Sequence, residues 1–259
     1  RRDAVPDPAH FQRALEMKVI FFRGKNAVLR TGSSAERGLT APIPPRSPVR
    51  TCGRDCTGPV REERCSVGKI LCYVYEEMAD FEITLLLHRL RGAGGREIVS
   101  ISEDTGPVTA QSGLQFLPDR RIQEIDSLEN VEALILPGGP INNEQNEICP
   151  LVSELAGRGV LVAAICFAPQ FLGRAGLLRQ YKFTTSCSPE KIREQGCEDP
   201  FFWENYVPRR TVVDRNVITA QGYAFVDFAA EVCRYLHVFA DEQQEYELLG
   251  RVKEDGPGI

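Results

Sequence analysis

The segment Val160-Leu161-Val162-Ala163-Ala164-Ile165 is apolar from end to end and runs straight into Cys166, then into helix-forming sequence at 168–175 closed by Gly176. A strand without a polar side chain on either face must be covered on both, the condition of a central strand in a parallel sheet. The chain from residue 67 onward repeats this alternation. Residues 69–75 form a β-branched and aromatic run of strand length. Asp80 is placed to cap a helix whose apolar residues Phe81, Leu85, Leu86 and Leu90 recur at helical spacing. Gly92-Ala93-Gly94-Gly95 stops that helix, and 97–101 is the next strand. Short runs around Val108 and at 114–117 predict a hairpin excursion. Strand 132–136 ends in the turn Pro137-Gly138-Gly139-Pro140, and a helix near 145–157 leads back to the apolar strand. Strands are expected at 181–185, 211–213 and 216–220, and a helix at 226–238. Alternating strands and helices predict an α/β three-layer sandwich around a mainly parallel sheet.

The first 66 residues read differently. They hold thirteen Lys or Arg against seven Asp or Glu, a balance of +6 that, against −5 for the whole chain, leaves −11 for 67–259. Stretches such as Ala41-Pro42-Ile43-Pro44-Pro45-Arg46-Ser47-Pro48 have no sustained apolar period and cannot bury enough surface to offset their ordering entropy. The expected organisation is a disordered basic arm at 1–66, one α/β domain at 67–250 and a tail at 251–259. The arm reads as a plain tail; a nucleic-acid arm or a targeting extension is the alternative, weakened as a transit peptide by Asp3, Asp7 and Glu16.

The acidic domain argues against nucleic acid as its partner. No run approaches the roughly 18 apolar residues of a membrane span, and no signal-type stretch follows Arg1-Arg2-Asp3, so a cytoplasmic protein is expected. The nine cysteines are odd in number and several sit in apolar segments, as Cys72 does, which reads as buried thiols of a reducing compartment. Cys52 and Cys56 are spaced C-x3-C without a second pair or a nearby His, too little for zinc. No cofactor or metal is expected, and no G-x-x-x-x-G-K phosphate loop is present.

Two strand ends carry chemistry. A cysteine between a buried strand and a helix forms a nucleophile elbow, where the helix N-terminus favours thiolate and the adjacent backbone N–H groups can stabilise an anion. The glycines of Pro137-Gly138-Gly139 let backbone amides approach a bound oxyanion. Taken alone, a cysteine after a strand is usually a small buried hydrophobe.

In residues 160–177, the run A-I-C-F-A-P followed by an apolar helix and A-G-L resembles the elbow of the ThiJ/PfpI family. Leu136-Pro137-Gly138-Gly139 matches that family's upstream turn, 69–94 is similar to its first strand and helix, and Ile218-Thr219-Ala220-Gln221-Gly222 to its final strand and turn. Together these cover about residues 68–240. The resemblance implies a flavodoxin-like, class I glutamine amidotransferase-like fold and a homodimer. It makes Cys166 the reactive thiol and Glu82 its carboxyl partner, with the N–H groups of Gly139 and Phe167 as the anion hole. Glu76 and Glu77 compete with Glu82 by sequence position, and an ordinary first-turn acid is the plain reading of Glu82.

The departures bear on function. Phe167 stands where proteolytic members carry His after the cysteine, and Ser186 stands where deglycase and glyoxalase-type members carry His in a T-T-H context. The chain's three histidines are His10, His88 and His237; none is an evident base, which weakens peptidase or amidotransferase activity. The expected reading is a cofactor-independent hydrolase or lyase on reactive carbonyls, its partner a small-molecule substrate or an oxidant. A redox sensor is the alternative, and a regulatory binding domain ranks last. Cys187 and Cys197 are either resolving thiols or ordinary loop thiols. The aromatic run 201–206 walls the pocket, supports a dimer contact or packs the core.

Overall fold

The computed structural model describes residues 68–141 and 146–252. The basic arm, with His10 and the Cys52/Cys56 pair, lies outside the described residues, as does the tail from 253.

Among the described residues nine strands form: β1 (Lys69–Tyr73), β2 (Glu97–Ser102), β3 (Val108–Thr109), β4 (Gln115–Phe116), β5 (Arg120–Arg121), β6 (Val131–Leu136), β7 (Leu161–Ile165), β8 (Thr211–Asp214) and β9 (Val217–Ala220). Seven make the central sheet in the order β5-β2-β1-β6-β7-β9-β8. All its pairings are parallel except β8 with β9. Six α-helices accompany them in the described residues: α1 (Phe81–Gly92), α2 (Ile148–Gly157), α3 (Pro169–Arg174), α4 (Pro189–Glu194), α5 (Phe225–Tyr235) and α6 (Glu242–Leu248). Strands β3 and β4 are the expected hairpin excursion.

Period-two alternation sorts the strand side chains into two cores. Ile70, Cys72, Ala133, Ile135, Ala163 and Ile165 face one side, packing with Ile83, Leu86 and Leu90 of α1 and Phe228 and Val232 of α5. Leu71, Tyr73, Leu134, Leu136, Val162 and Ala164 face the other, with Leu151 and Leu155 of α2 and Phe171 of α3. Both faces are dry, so β7 and residues 133–136 of β6 read as unbroken apolar runs. The result is the three-layer, mainly parallel, flavodoxin-like sandwich. The strand order reverses direction between the parallel neighbours β1 and β6, and such a sheet presents ligand sites beyond the C-terminal ends of its strands.

Three local expectations differ. Residues 181–185 do not form a strand; they make one bridge, Phe183 to Tyr206. The edge of β9 is already taken by β8, and Thr184 and Thr185 spend their polar groups elsewhere: Thr184 N–H on Thr219 Oγ1 at 2.9 Å and Thr185 Oγ1 on Cys166 O at 2.7 Å. Asp80 does not cap α1 with its side chain. Its backbone is already helical (φ −60°, ψ −34°), and its carboxylate accepts from Ser112 Oγ at 2.7 Å, tying the hairpin excursion to the helix start. His237 lies just past α5 at φ 50°, not within the helix.

Candidate active site

Cys166 follows β7 directly and adopts φ 62°, a left-handed conformation that costs a non-glycine residue roughly 1–2 kcal/mol. The surroundings hold it there. Its N–H donates to Ala220 O at the end of β9 (2.8 Å), and its carbonyl accepts from Ser186 N–H (3.0 Å) and Thr185 Oγ1 (2.7 Å). The side chain is thereby turned out of the sheet to the ends of β1, β6, β7 and β9. It is partly exposed, as is Phe167 after it, whereas Ile165 and Ala168 on either side of the two are buried.

Glu82, in the first turn of α1, reaches the same point. It is 2% exposed, and its Oε2 accepts from Gly138 N–H at 2.8 Å. Glycine is required on both sides of the pair. A Cβ on Gly138 would lie 2.5 Å from both Cys166 Cβ and Glu82 Oε2. One on Gly222, after β9, would lie 2.6 Å from Glu82 Oε1 and 3.0 Å from Cys166 Sγ. Gly139 sits one residue further along the turn, packed on Tyr75, whose hydroxyl would be 2.5 Å from an added Cβ and donates to Pro137 O at 3.0 Å. Glu76 and Glu77 are exposed, and Glu76 accepts from Thr109 N–H on the hairpin.

Three groups meet the sulfur. Glu82 shares a hydrogen bond with the thiol, while the Ser186 hydroxyl and the Phe167 N–H donate to it; Gly138 and Gly222 close the walls. Burial raises the Glu82 carboxyl from its ordinary 4.5 to about 7, against the opposing pull of the Gly138 N–H and Cys166. Burial also raises the Cys166 thiol well above its usual range, and a neighbouring Glu82 carboxylate adds to this; Ser186 and Phe167 pull the other way. The expectation of a thiol acidified by a helix N-terminus is thus opposed by stronger forces. Helix α3 has six residues and Pro169 in its first turn, so few aligned amides face the sulfur.

The remaining candidates lie apart from this cluster. Cys187 is buried, its sulfur donating to Ser188 O and its N–H to Thr185 Oγ1; Cys197 donates to Ile141 O. The described cysteines are all free thiols. Phe201, Trp203 and Tyr206 stack around Phe183 in the second core. His88 and His237 are exposed. Ser186 entered the sequence reading as a missing imidazole, and its contact with the sulfur was overlooked there. Gly222 was overlooked too, though a glycine directly after a strand end, as in Gly138 after β6 and Pro137, was the available signal. No cluster of metal-ligating side chains occurs among the described residues, and no described helix is long and apolar enough to cross a membrane.

A family model described as DJ-1/PfpI family matches residues 68–235. The Bacillus subtilis protein named Uncharacterized protease YoaZ is 29% identical over 183 residues, spanning 67% of this chain and 86% of its own length. Deglycase PfpI of Pyrococcus furiosus is 30% identical over 156 residues, spanning 59% and 89%. The crystal structure of the DJ-1 superfamily protein Atu0886 from Agrobacterium tumefaciens superposes with a TM-score of 0.60 at 30% identity, covering 70% of this chain and 96% of that one.

Proposed function

Because the chain belongs to the DJ-1/PfpI family, we propose that it is a cofactor-independent hydrolase or lyase of reactive carbonyl compounds, with Cys166 as nucleophile and Glu82 as its acid/base. The observation that carries this reading is a buried carboxyl hydrogen-bonded to the elbow sulfur and titrating near 7. Relatives named deglycase, at 27% to 32% identity, support the substrate class.

In the first step the thiol proton passes to the Glu82 carboxylate as sulfur bonds to the carbonyl carbon. The carbonyl π pair moves to oxygen, which takes that proton back from Glu82 to give a hemithioacetal. The N–H groups of Gly139 and Phe167 are the proposed donors to the oxygen while it is negative. Neither a metal nor a cofactor enters. Methylglyoxal consumption by the native protein, Cys166→Ala and Glu82→Gln tests this. The two variants are expected to lose at least about a hundredfold in rate. Equal rates for native protein and Cys166→Ala would end the proposal.

One observation favours a second reading, a cysteine redox sensor: the sulfur has hydroxyl and N–H donors and a carboxyl beside it, but no imidazole among the described residues. Those donors suit the oxygens of an oxidised sulfur. Graded peroxide followed by peptide mass should then add oxygen at Cys166 first; indiscriminate oxidation of all thiols would reject it. A homodimer in the cytoplasm completes the proposal, and sedimentation at graded concentration reads the assembly.

A further inference from the structure

The Ser186 hydroxyl occupies a defined slot beside the sulfur. Gly222 N–H donates to Ser186 Oγ at 2.8 Å, and Gly222 itself is close enough that an added Cβ would stand 3.0 Å from Cys166 Sγ. With that N–H on its oxygen, the hydroxyl proton is free for a second partner, and the Cys166 sulfur is beside it. The residue is held from its backbone as well. Ser186 N–H donates to Cys166 O at 3.0 Å, and Ser186 O accepts from Lys191 Nζ at 3.2 Å, that ammonium also lying 5.5 Å from the Phe167 ring centre.

From this geometry we infer that Ser186 is a working member of the site: its hydroxyl donates to the Cys166 sulfur and shifts the shared proton from Cys166 to Glu82. This rests on Cys166 and Glu82 forming the reactive pair. The pair exchanges one proton between two arrangements, thiol with carboxylate and thiolate with carboxylic acid. A donor aimed at sulfur stabilises only the thiolate side. The Phe167 N–H does the same from the backbone, where substitution cannot remove it, so Ser186 is the side chain that sets the balance. A hydroxyl does not accept the proton as an imidazole would, so Glu82 is left to carry it.

The test is the pH profile of iodoacetamide labelling at Cys166, followed by peptide mass in the full chain. Ser186→Ala should move the midpoint upward by about one pH unit and slow labelling at fixed pH about tenfold. Ser186→Thr, which keeps the hydroxyl, should restore the native profile. A merely structural role would lower the melting temperature of Ser186→Ala and leave the midpoint in place. That result overturns the inference. If Ser186→Ala does not fold, Ser186→Cys, a weaker donor, should shift the midpoint in the same direction, and an unmoved midpoint again overturns it. Failure of the underlying pair looks different: labelling would then be slow at Cys166 in the native protein and insensitive to Glu82→Gln.

Discussion

Glu82→Gln should change how the stability of this protein depends on pH. The carboxyl is 2% exposed and is raised from 4.5 to about 7 in the folded chain, chiefly by burial. An acid whose folded pKa is raised binds its proton more tightly when folded, so between these two values the unfolded chain carries fewer protons. Stability is therefore greatest below about pH 4.5 and is lost as pH rises through about 7. At roughly 1.4 kcal/mol for each pH unit, the whole difference amounts to about 3 kcal/mol. Cys166 is raised out of this window and adds nothing to it. The glutamine amide would keep an acceptor for Gly138 N–H and carry no charge, so the stability of the variant should lack this component. The assay is urea unfolding of both proteins at pH 5 and pH 8. The native protein should lose about 2.5 kcal/mol more than the variant across that interval, a relative melting shift of roughly 5–10 °C for a domain of this size. Other titrating groups are common to both and cancel. A difference between the two that does not change with pH would show that Glu82 is not held protonated, and the acid/base role would fall with it.

Gly138→Ala and Gly222→Ala place a Cβ within 2.6 Å of Glu82 oxygens, so each should cost about 1–3 kcal/mol by urea unfolding and abolish carbonyl turnover. Cys166→Gly should be more stable than Cys166→Ala by about 1 kcal/mol in thermal unfolding, because glycine adopts φ 62° without the Cβ penalty. Thr185→Val removes a 2.7 Å donor from Cys166 O; about 1 kcal/mol of stability should go, with a drop in kcat and little change in KM, read from steady-state kinetics.

Much of the fold was legible because the middle strands hold long apolar stretches: Leu134-Ile135-Leu136 and Leu161–Ile165 can only sit where both faces are covered. Elements with little burial of their own were not legible. Strand β5 is two arginines on the sheet edge, registered with Ile101 and Ser102 of β2, and no periodicity marks it. Helix α4 did carry a signal, Ser188 accepting from Lys191 N–H with Pro189 in the first turn, but six residues show too little apolar period to weigh against a loop. Cys166 was legible as an elbow from strand and helix alone. Glu82 came through the resemblance, since a first-turn acid ordinarily faces solvent, and only packing of α1 on the sheet turns this one inward.

For the proposed nucleophile Cys166, the source of its reactivity is where sequence and structure part most usefully. A strand–Cys–helix run suggests that aligned peptide dipoles do the work, but α3 has six residues and a proline at its start. Burial alone makes a thiolate costly here, and an ionised Glu82 makes it costlier. The same carboxyl, once protonated, reverses its effect: the repulsion disappears and its O–H can donate to sulfur. On the proposed mechanism, protonation of Glu82 near neutrality is the condition for a usable thiolate, and Ser186 and Phe167 tilt the pair toward it. Activation would then depend on where one shared proton rests, with the helix in a minor part.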